Sequence, residues 1–126
     1  MSFIEQWLHD AVPALVGSEW RKGQQTFAVD NPATGETIAR VAEMGADDTR
    51  DAVTAAYDAG AAWRATPVKQ RSALLRRWFE LIIEHADDLA RLMTLEQGKP
   101  LAEAKGEVTY GASFIEFFAE EAKRMA

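Results

Sequence analysis

Residues 73–93 read ALLRRWFELIIEHADDLARLM, and 13 of these 21 positions are apolar. A helix that covers one core face needs about three apolar residues in seven, or roughly 9 in such a stretch. The surplus predicts a helix covered on more than one side, or one broken into two segments near Ala86-Asp87. Everything after Met44-Gly45 reads with the same helical period. Asp47 or Asp48 is placed to cap a first helix whose face is Val53, Tyr57, Gly60 and Trp63 and which ends before Thr66-Pro67. Thr66 is expected to cap the next helix, with Pro67 at its first position, where the missing N–H costs nothing. The last helix follows Gly98-Lys99-Pro100 and carries Ala104, Val108, Gly111, Ala112, Ile115, Phe118, Ala119 and Ala122 on one broad face, widened by Phe114 and Phe117.

Upstream the character changes. Between Ala14 and Ala42, short apolar or β-branched runs alternate with Gly17-Ser18, Gly23 and Asn31-Pro32-Ala33-Thr34-Gly35-Glu36. Strands are predicted over Ala14 to Val16, Glu19 to Arg21, Gln25 to Val29 and Thr37 to Ala42. Pro32 fixes one turn angle and Gly35 can take a positive φ, which is what a sharp reversal needs. Before Pro13, residues Phe3, Ile4, Trp7, Leu8 and Ala11 recur at helical spacing and predict a short docking helix. The fold class is therefore mixed α and β, mostly helical: a docking helix over residues 1–13, β strands forming a hairpin region over 14–43, and three to four helices over 46–126. No internal repeat or low-complexity linker interrupts it.

The chain has 126 residues, 14 Lys plus Arg against 20 Asp plus Glu, a net charge of −6 and 48% hydrophobic residues. That acidity argues against broad nucleic-acid binding, which draws on a surplus of cations set against phosphates. It argues equally against an anionic membrane surface. There is no cysteine, so disulfides, thiolate zinc sites and a cysteine nucleophile are excluded within these residues. The first 14 residues lack the basic start and apolar stretch of a signal peptide, and no window approaches the roughly 20 apolar residues that span a bilayer. A cytoplasmic location is expected. The helical pattern runs to Ala126 without Gly, Asn or Pro to stop it, so the length is expected to be a cut rather than a boundary.

Few residues signal chemistry. His85 lies beside Glu84, Asp87 and Asp88, and His9 beside Asp10, both read as solvated surface histidines. Gly111-Ala112-Ser113-Phe114-Ile115 lacks the second glycine of a nucleophile elbow. Gly98-Lys99-Pro100 imitates the end of a phosphate loop but has Pro100 where Ser or Thr would bind magnesium and Met93 where the first glycine belongs. No G-x-G-x-x-G occurs. Ile82 and Gln6 stand three residues before His85 and His9, so the Glu-x-x-His pairs of a di-iron bundle are missing and no metal ligand set is nominated. Near the end, Lys99 with Glu103 and Glu120 with Arg124 are spaced to pair, while Glu103 and Glu107 repel unless Lys99 or a partner from elsewhere intervenes.

Several stretches nevertheless resemble the N-terminal portion of the aldehyde dehydrogenase superfamily. Asn31-Pro32-Ala33-Thr34-Gly35-Glu36 is similar to its early N-P-x-T-G-E turn, and Ala61-Ala62-Trp63-Arg64 to its A-x-W-R helix end. The run MTLEQGKPLAEAKGEV over 93–108, followed by SFIEFFAEE over 113–121, is similar to the succinate-semialdehyde dehydrogenase branch. These elements match in order from about Leu15 onward.

The resemblance implies that residues 1–126 are the first part of the cofactor-binding domain of a longer chain, in which an NAD- or NADP-dependent enzyme oxidises an aldehyde, succinate semialdehyde by the branch, to the acid. The catalytic cysteine, the general-base glutamate, the oxyanion asparagine and the cofactor motifs of that family lie further along. No catalytic or cofactor-binding residue is therefore carried over, no cofactor is expected to bind this chain alone, and NAD against NADP stays open. The apolar surplus over 73–93 would lie against the missing sheet. Only Tyr110 and Gly111 are nominated, at the substrate entrance. Some relatives hold a monovalent cation with carbonyls near the positions of Asp30 and Glu96. The partners implied are the remainder of the chain and a small aldehyde, in a parent that is a homo-oligomer, with no nucleic acid and no membrane. The alternative is a stand-alone helical interaction module that uses the same uncovered face.

Overall fold

The computed structural model describes residues 11–124. They divide into two compact units, Met1–Ala62 and Trp63–Ala126, with the division inside the first helix. The expected docking helix lies outside the described residues except for Ala11. That residue opens a strand, β1 (Ala11–Val12), which pairs in parallel with Arg40 and Val41. Val12 precedes Pro13, and a residue before proline is pushed toward extended backbone.

In the first unit, β2 (Ala14–Val16) and β3 (Glu19–Arg21) form an antiparallel hairpin across Gly17-Ser18. β4 (Gln25–Asp30) and β5 (Thr37–Glu43) form a second, each ending one residue later than predicted, and β1 adds to give the order β1-β5-β4. The reversal between them is as anticipated. Asn31 Oδ1 accepts from the Ala33 N–H at 2.9 Å, the Asn31 carbonyl accepts from the Gly35 N–H at 2.8 Å, and Gly35 has φ +74°. The Asn side chain closes the turn locally, and Gly35 takes the left-handed angle without the Cβ penalty.

Helix α1 (Ala46–Ala65) begins one residue before the predicted caps. Asp48 instead reaches back from the first turn, its Oδ2 accepting from the Gly45 N–H at 3.2 Å, which is half of a capping box. The predicted face is not covered: Val53 is 65% and Tyr57 83% exposed, while Ala52 and Ala55 are half-buried. Arg21 joins the helix to β3, its guanidinium 2.7 Å from Asp51 and 3.6 Å from Asp48.

The second unit is helical. α2 (Val68–Glu84) starts after Pro67, which occupies the cap position itself with no side-chain cap bond, so neither Thr66 nor Pro67 plays its predicted part there. The apolar stretch breaks where expected. His85, with φ −103° and ψ 16°, separates α2 from α3 (Ala86–Gln97). Its N–H still donates to Leu81 at 3.1 Å and its carbonyl still accepts from Leu89 at 2.9 Å, so the hydrogen-bond ladder bends without a gap. Far from being a solvated histidine, His85 is half-buried at this joint. α3 ends on Gly98, whose φ of +75° and bond to the Thr94 carbonyl make a left-handed stop. Gly98-Lys99-Pro100 is thus a helix connection, and Pro100 caps α4 (Leu101–Glu121), which runs into a short 3-10 turn at Ala122–Arg124.

α4 packs on α2 and α3 through small residues. Ala104, Val108, Ala112 and Ala119 are buried, and Ala90, Ala104 and Val108 form the centre with Ile82, Ala86, Leu89 and Met93 around it. Among the described residues no large side chain is fully buried. Phe118, expected on the packed face, is 58% exposed. Cross-links come from Arg76–Glu116 at 2.5 Å and Lys105–Asp87 at 2.6 Å, exposed pairs that each contribute at most about 1 kcal/mol. Lys99 pairs with Glu107 rather than Glu103, since a lysine ahead of the helix start reaches a residue two turns along its near face. Glu120 pairs with Lys123 at 3.0 Å, and Arg124 turns to Glu121. No described helix is long and apolar enough to cross a membrane.

Candidate functional site

An open apolar groove of about 600 Å³ lies along α4 where α2 and α3 meet it, walled by Ile82, Leu89, Met93, Val108, Gly111 and Ile115, with Glu96 and Glu107 among its polar members. Its floor exists because α4 presents Val108 and Ala112 where larger side chains would fill the space. Gly111 widens it further, since a Cβ there would meet nothing within 4 Å. Gly111 thus lines the groove. Tyr110 does not; it projects outward, 66% exposed, with its ring 4.9 Å from that of Phe114 in an edge-on arrangement. The two nominated neighbours therefore belong to adjoining surfaces.

The second surface is the one that residue-by-residue reading passed over. Tyr110, Phe114, Phe117 and Phe118 share one side of α4, and Phe117 and Phe118 stack edge-on at 5.3 Å. Leu74, Trp78 and Leu81 form a similar exposed row on α2. The signal was present as i, i+4, i+7 spacing, but it was merged with the buried face into one broad stripe.

In the first unit a polar cleft of about 810 Å³ is bordered by Arg21, Lys22, Gly23, Glu43, Asp47 and Asp48. The hydrogen bond to Asp51, with the negative field of Asp51, Asp48 and Glu19, raises the Arg21 pKa further. The cleft sits at the strand-to-helix junction from Glu43 to Ala46, where a phosphate would look for free N–H groups. There the Gly45 N–H is taken by Asp48 and Asp47 stands beside it. Two carboxylates occupy the ground a pyrophosphate needs, so this cleft does not fit the phosphates of a dinucleotide.

Ser113 Oγ donates to the Tyr110 carbonyl at 2.7 Å, which spends its hydroxyl on the helix. Asp30 Oδ1 accepts from the Thr37 hydroxyl at 2.6 Å, and Glu96 is exposed at the groove. No group of three or more metal-binding side chains occurs among the described residues. His9 lies outside them.

The pattern that defines the aldehyde dehydrogenase family matches residues 20–126. The chain belongs to the aldehyde dehydrogenase family. Over 114 residues, 89% of its length, this aldehyde dehydrogenase chain is 63% identical to glutarate-semialdehyde dehydrogenase of Pseudomonas putida and 59% identical to the NADP(+) succinate-semialdehyde dehydrogenase of Escherichia coli. It covers 24% of each. The crystal structure of succinate-semialdehyde dehydrogenase from Burkholderia pseudomallei superposes with a TM-score of 0.87 at 53% identity, over 96% of this chain and 25% of that one. The chain thus spans about a quarter of the length of the relatives it matches, and it corresponds to their N-terminal portion.

Proposed function

We propose that this chain is the first part of the cofactor-binding domain of an NAD(P)-dependent aldehyde dehydrogenase that oxidises the semialdehyde of a dicarboxylic acid, succinate semialdehyde first, to the diacid. The observation that carries the reading is the match over residues 20–126 together with about 60% identity to two semialdehyde dehydrogenases. In the complete enzyme, a nicotinamide cofactor supplies the hydride acceptor. The chain holds no cysteine, so a thiol nucleophile for such chemistry comes from elsewhere in the polypeptide.

The part assigned to this chain is structural and positional. Its helices present preformed apolar faces to the remainder, and the groove at Gly111 with the ring of Tyr110 beside it borders the path by which the aldehyde enters. A semialdehyde's short methylene chain suits an apolar wall, and its carboxylate requires a cation from outside the groove, whose own charged members are Glu96 and Glu107. The full enzyme is cytoplasmic and homo-oligomeric on this reading.

Two measurements test it. The purified 126-residue chain should produce no NADH or NADPH from succinate semialdehyde. A fusion in which it replaces the aligned quarter of the E. coli relative should do so with NADP+. Turnover by the chain alone, or a folded fusion without activity, would refute the reading.

A further inference from the structure

Where the first turn of α2 meets the last turn of α4, a cavity of about 280 Å³ is lined by Trp63, Arg71, Leu75, Phe118, Glu121 and Ala122. It shares no residue with the groove at Gly111. Arg71 is half-buried, and its Nε–H is shut off from solvent with no acceptor among the described residues. That is unfavourable, because a guanidinium keeps its charge at any working pH and each of its N–H groups needs an acceptor.

Arg21, the other half-buried arginine among the described residues, is held by Asp51 at 2.7 Å. Arg71 has no such carboxylate. Glu121, in the same cavity wall, is turned to Arg124 at 3.2 Å, so the three side chains together carry a single positive charge. A charge of that size is neutralised by a monoanion.

The walls narrow the chemistry further. A guanidinium presents parallel N–H donors that match the two oxygens of a carboxylate. Trp63 and Phe118, 42% and 58% exposed, and the half-buried Leu75 offer an apolar bed for whatever the carboxylate carries. Inorganic phosphate fits the fork too, but it has nothing to lay on the rings and loses more hydration on entering. The cavity is smaller than those that take drug-sized ligands, which limits the occupant to one ring or a short branched chain. We propose that this cavity binds a small monocarboxylate with an aromatic or branched apolar body, its carboxylate on the Arg71 guanidinium and its body against Trp63 and Phe118. Such a ligand would tie the start of α2 to the end of α4, so its binding stabilises the helical unit.

Benzoate is the probe, with benzyl alcohol, inorganic phosphate and succinate beside it. Titrated into the 126-residue chain, benzoate should shift the amide resonances of Arg71, Leu75, Phe118 and Glu121 and the indole N–H of Trp63, and should raise the melting temperature. The other three should bind at least about tenfold more weakly. Arg71→Met should keep its helical circular dichroism, since the Nε–H it removes has no partner to lose, and should weaken benzoate by at least about tenfold. Arg71→Lys keeps the charge but not the fork and should fall between the two; it carries the comparison alone if Arg71→Met unfolds. Phosphate or benzyl alcohol binding as tightly as benzoate, or benzoate binding unchanged by these substitutions, overturns the proposal. So does loss of the benzoate shifts in the active fusion to the E. coli relative, because the cavity is then a seat for polypeptide and not for a ligand.

Discussion

Two glycines should respond to the same substitution with opposite signs. Gly111 lies inside α4, where glycine is about 1 kcal/mol less favourable than alanine. An added Cβ meets nothing within 4 Å there, so no steric term offsets the gain. Gly111→Ala should stabilise α4 by about 0.5–1 kcal/mol and raise its melting temperature by about 3–6 °C. Gly23 lies where β4 and β5 close on each other. A Cβ there would stand 2.8 Å from the Gln25 carbonyl oxygen, 2.9 Å from that of Glu43 and 3.1 Å from the Glu43 nitrogen. All three are backbone atoms that cannot swing aside, so Gly23→Ala should destabilise the first unit by about 1–3 kcal/mol. Because the chain forms two units, the readout is local: hydrogen exchange of α4 amides for one variant and of β4 and β5 amides for the other, beside thermal melts. A destabilising Gly111→Ala would mean that something packs on that position within the isolated chain, and a neutral Gly23→Ala would mean that the strands do not approach as described. In the fusion enzyme the same Gly111→Ala should lower kcat/KM for the semialdehyde while leaving the helix more stable. A parallel gain in both would remove Gly111 from the entrance.

Ala112 is 1% exposed on the buried side of α4, so Ala112→Leu should overpack the helix contact and cost about 1–3 kcal/mol by urea unfolding. Tyr110→Leu on the open side should stay within about 0.5 kcal/mol; equal effects would contradict the assigned faces. The hydrogen bond and positive charge of Lys123 hold the Glu120 carboxyl below its ordinary pKa. A folded pKa below the unfolded one gives stability that is present above the ordinary carboxylate range and is lost as pH falls through the folded value. Carboxyl-carbon NMR titration should show Glu120 returning to its ordinary range in Lys123→Ala, and an unmoved titration would refute the pairing.

The legible parts of this fold were those written in local chemistry. Asn31, Thr34 and Gly35 each do in the turn what their side chains or their lack of one allow, and the apolar surplus over 73–93 forced a break that falls at His85. The parts misread depend on a partner elsewhere in space. Val12 looks like the end of a helix until β5 is there to pair with it. Val53 and Tyr57 have helical spacing, but spacing says only that residues share a side, not that anything described covers that side. Lys99 chooses Glu107 over Glu103 because it precedes α4 and approaches along the helix, outside the i,i+4 rule for residues already within one.

α4 shows the limit of periodicity most clearly and explains it. Its apolar residues occupy so much of the circumference that one broad face and two separate faces give nearly the same sequence. Side-chain size breaks the tie. Helices that approach closely need alanine and valine at the contact, so Ala104, Val108, Ala112 and Ala119 mark the side already satisfied. Aromatic rings would hold the helices apart if they were placed there, so Tyr110, Phe114, Phe117 and Phe118 must face a surface with room to receive them. Sorting the apolar positions by volume as well as by angle would have separated the two faces from the sequence alone. α2 divides differently, with the half-buried Leu75, Phe79 and Ile82 beside the buried Ser72 on its inward side and Leu74, Trp78 and Leu81 exposed. A helix with small residues inward and large ones outward is built as the inner layer of a larger body, in keeping with a chain that covers 24% of its relatives.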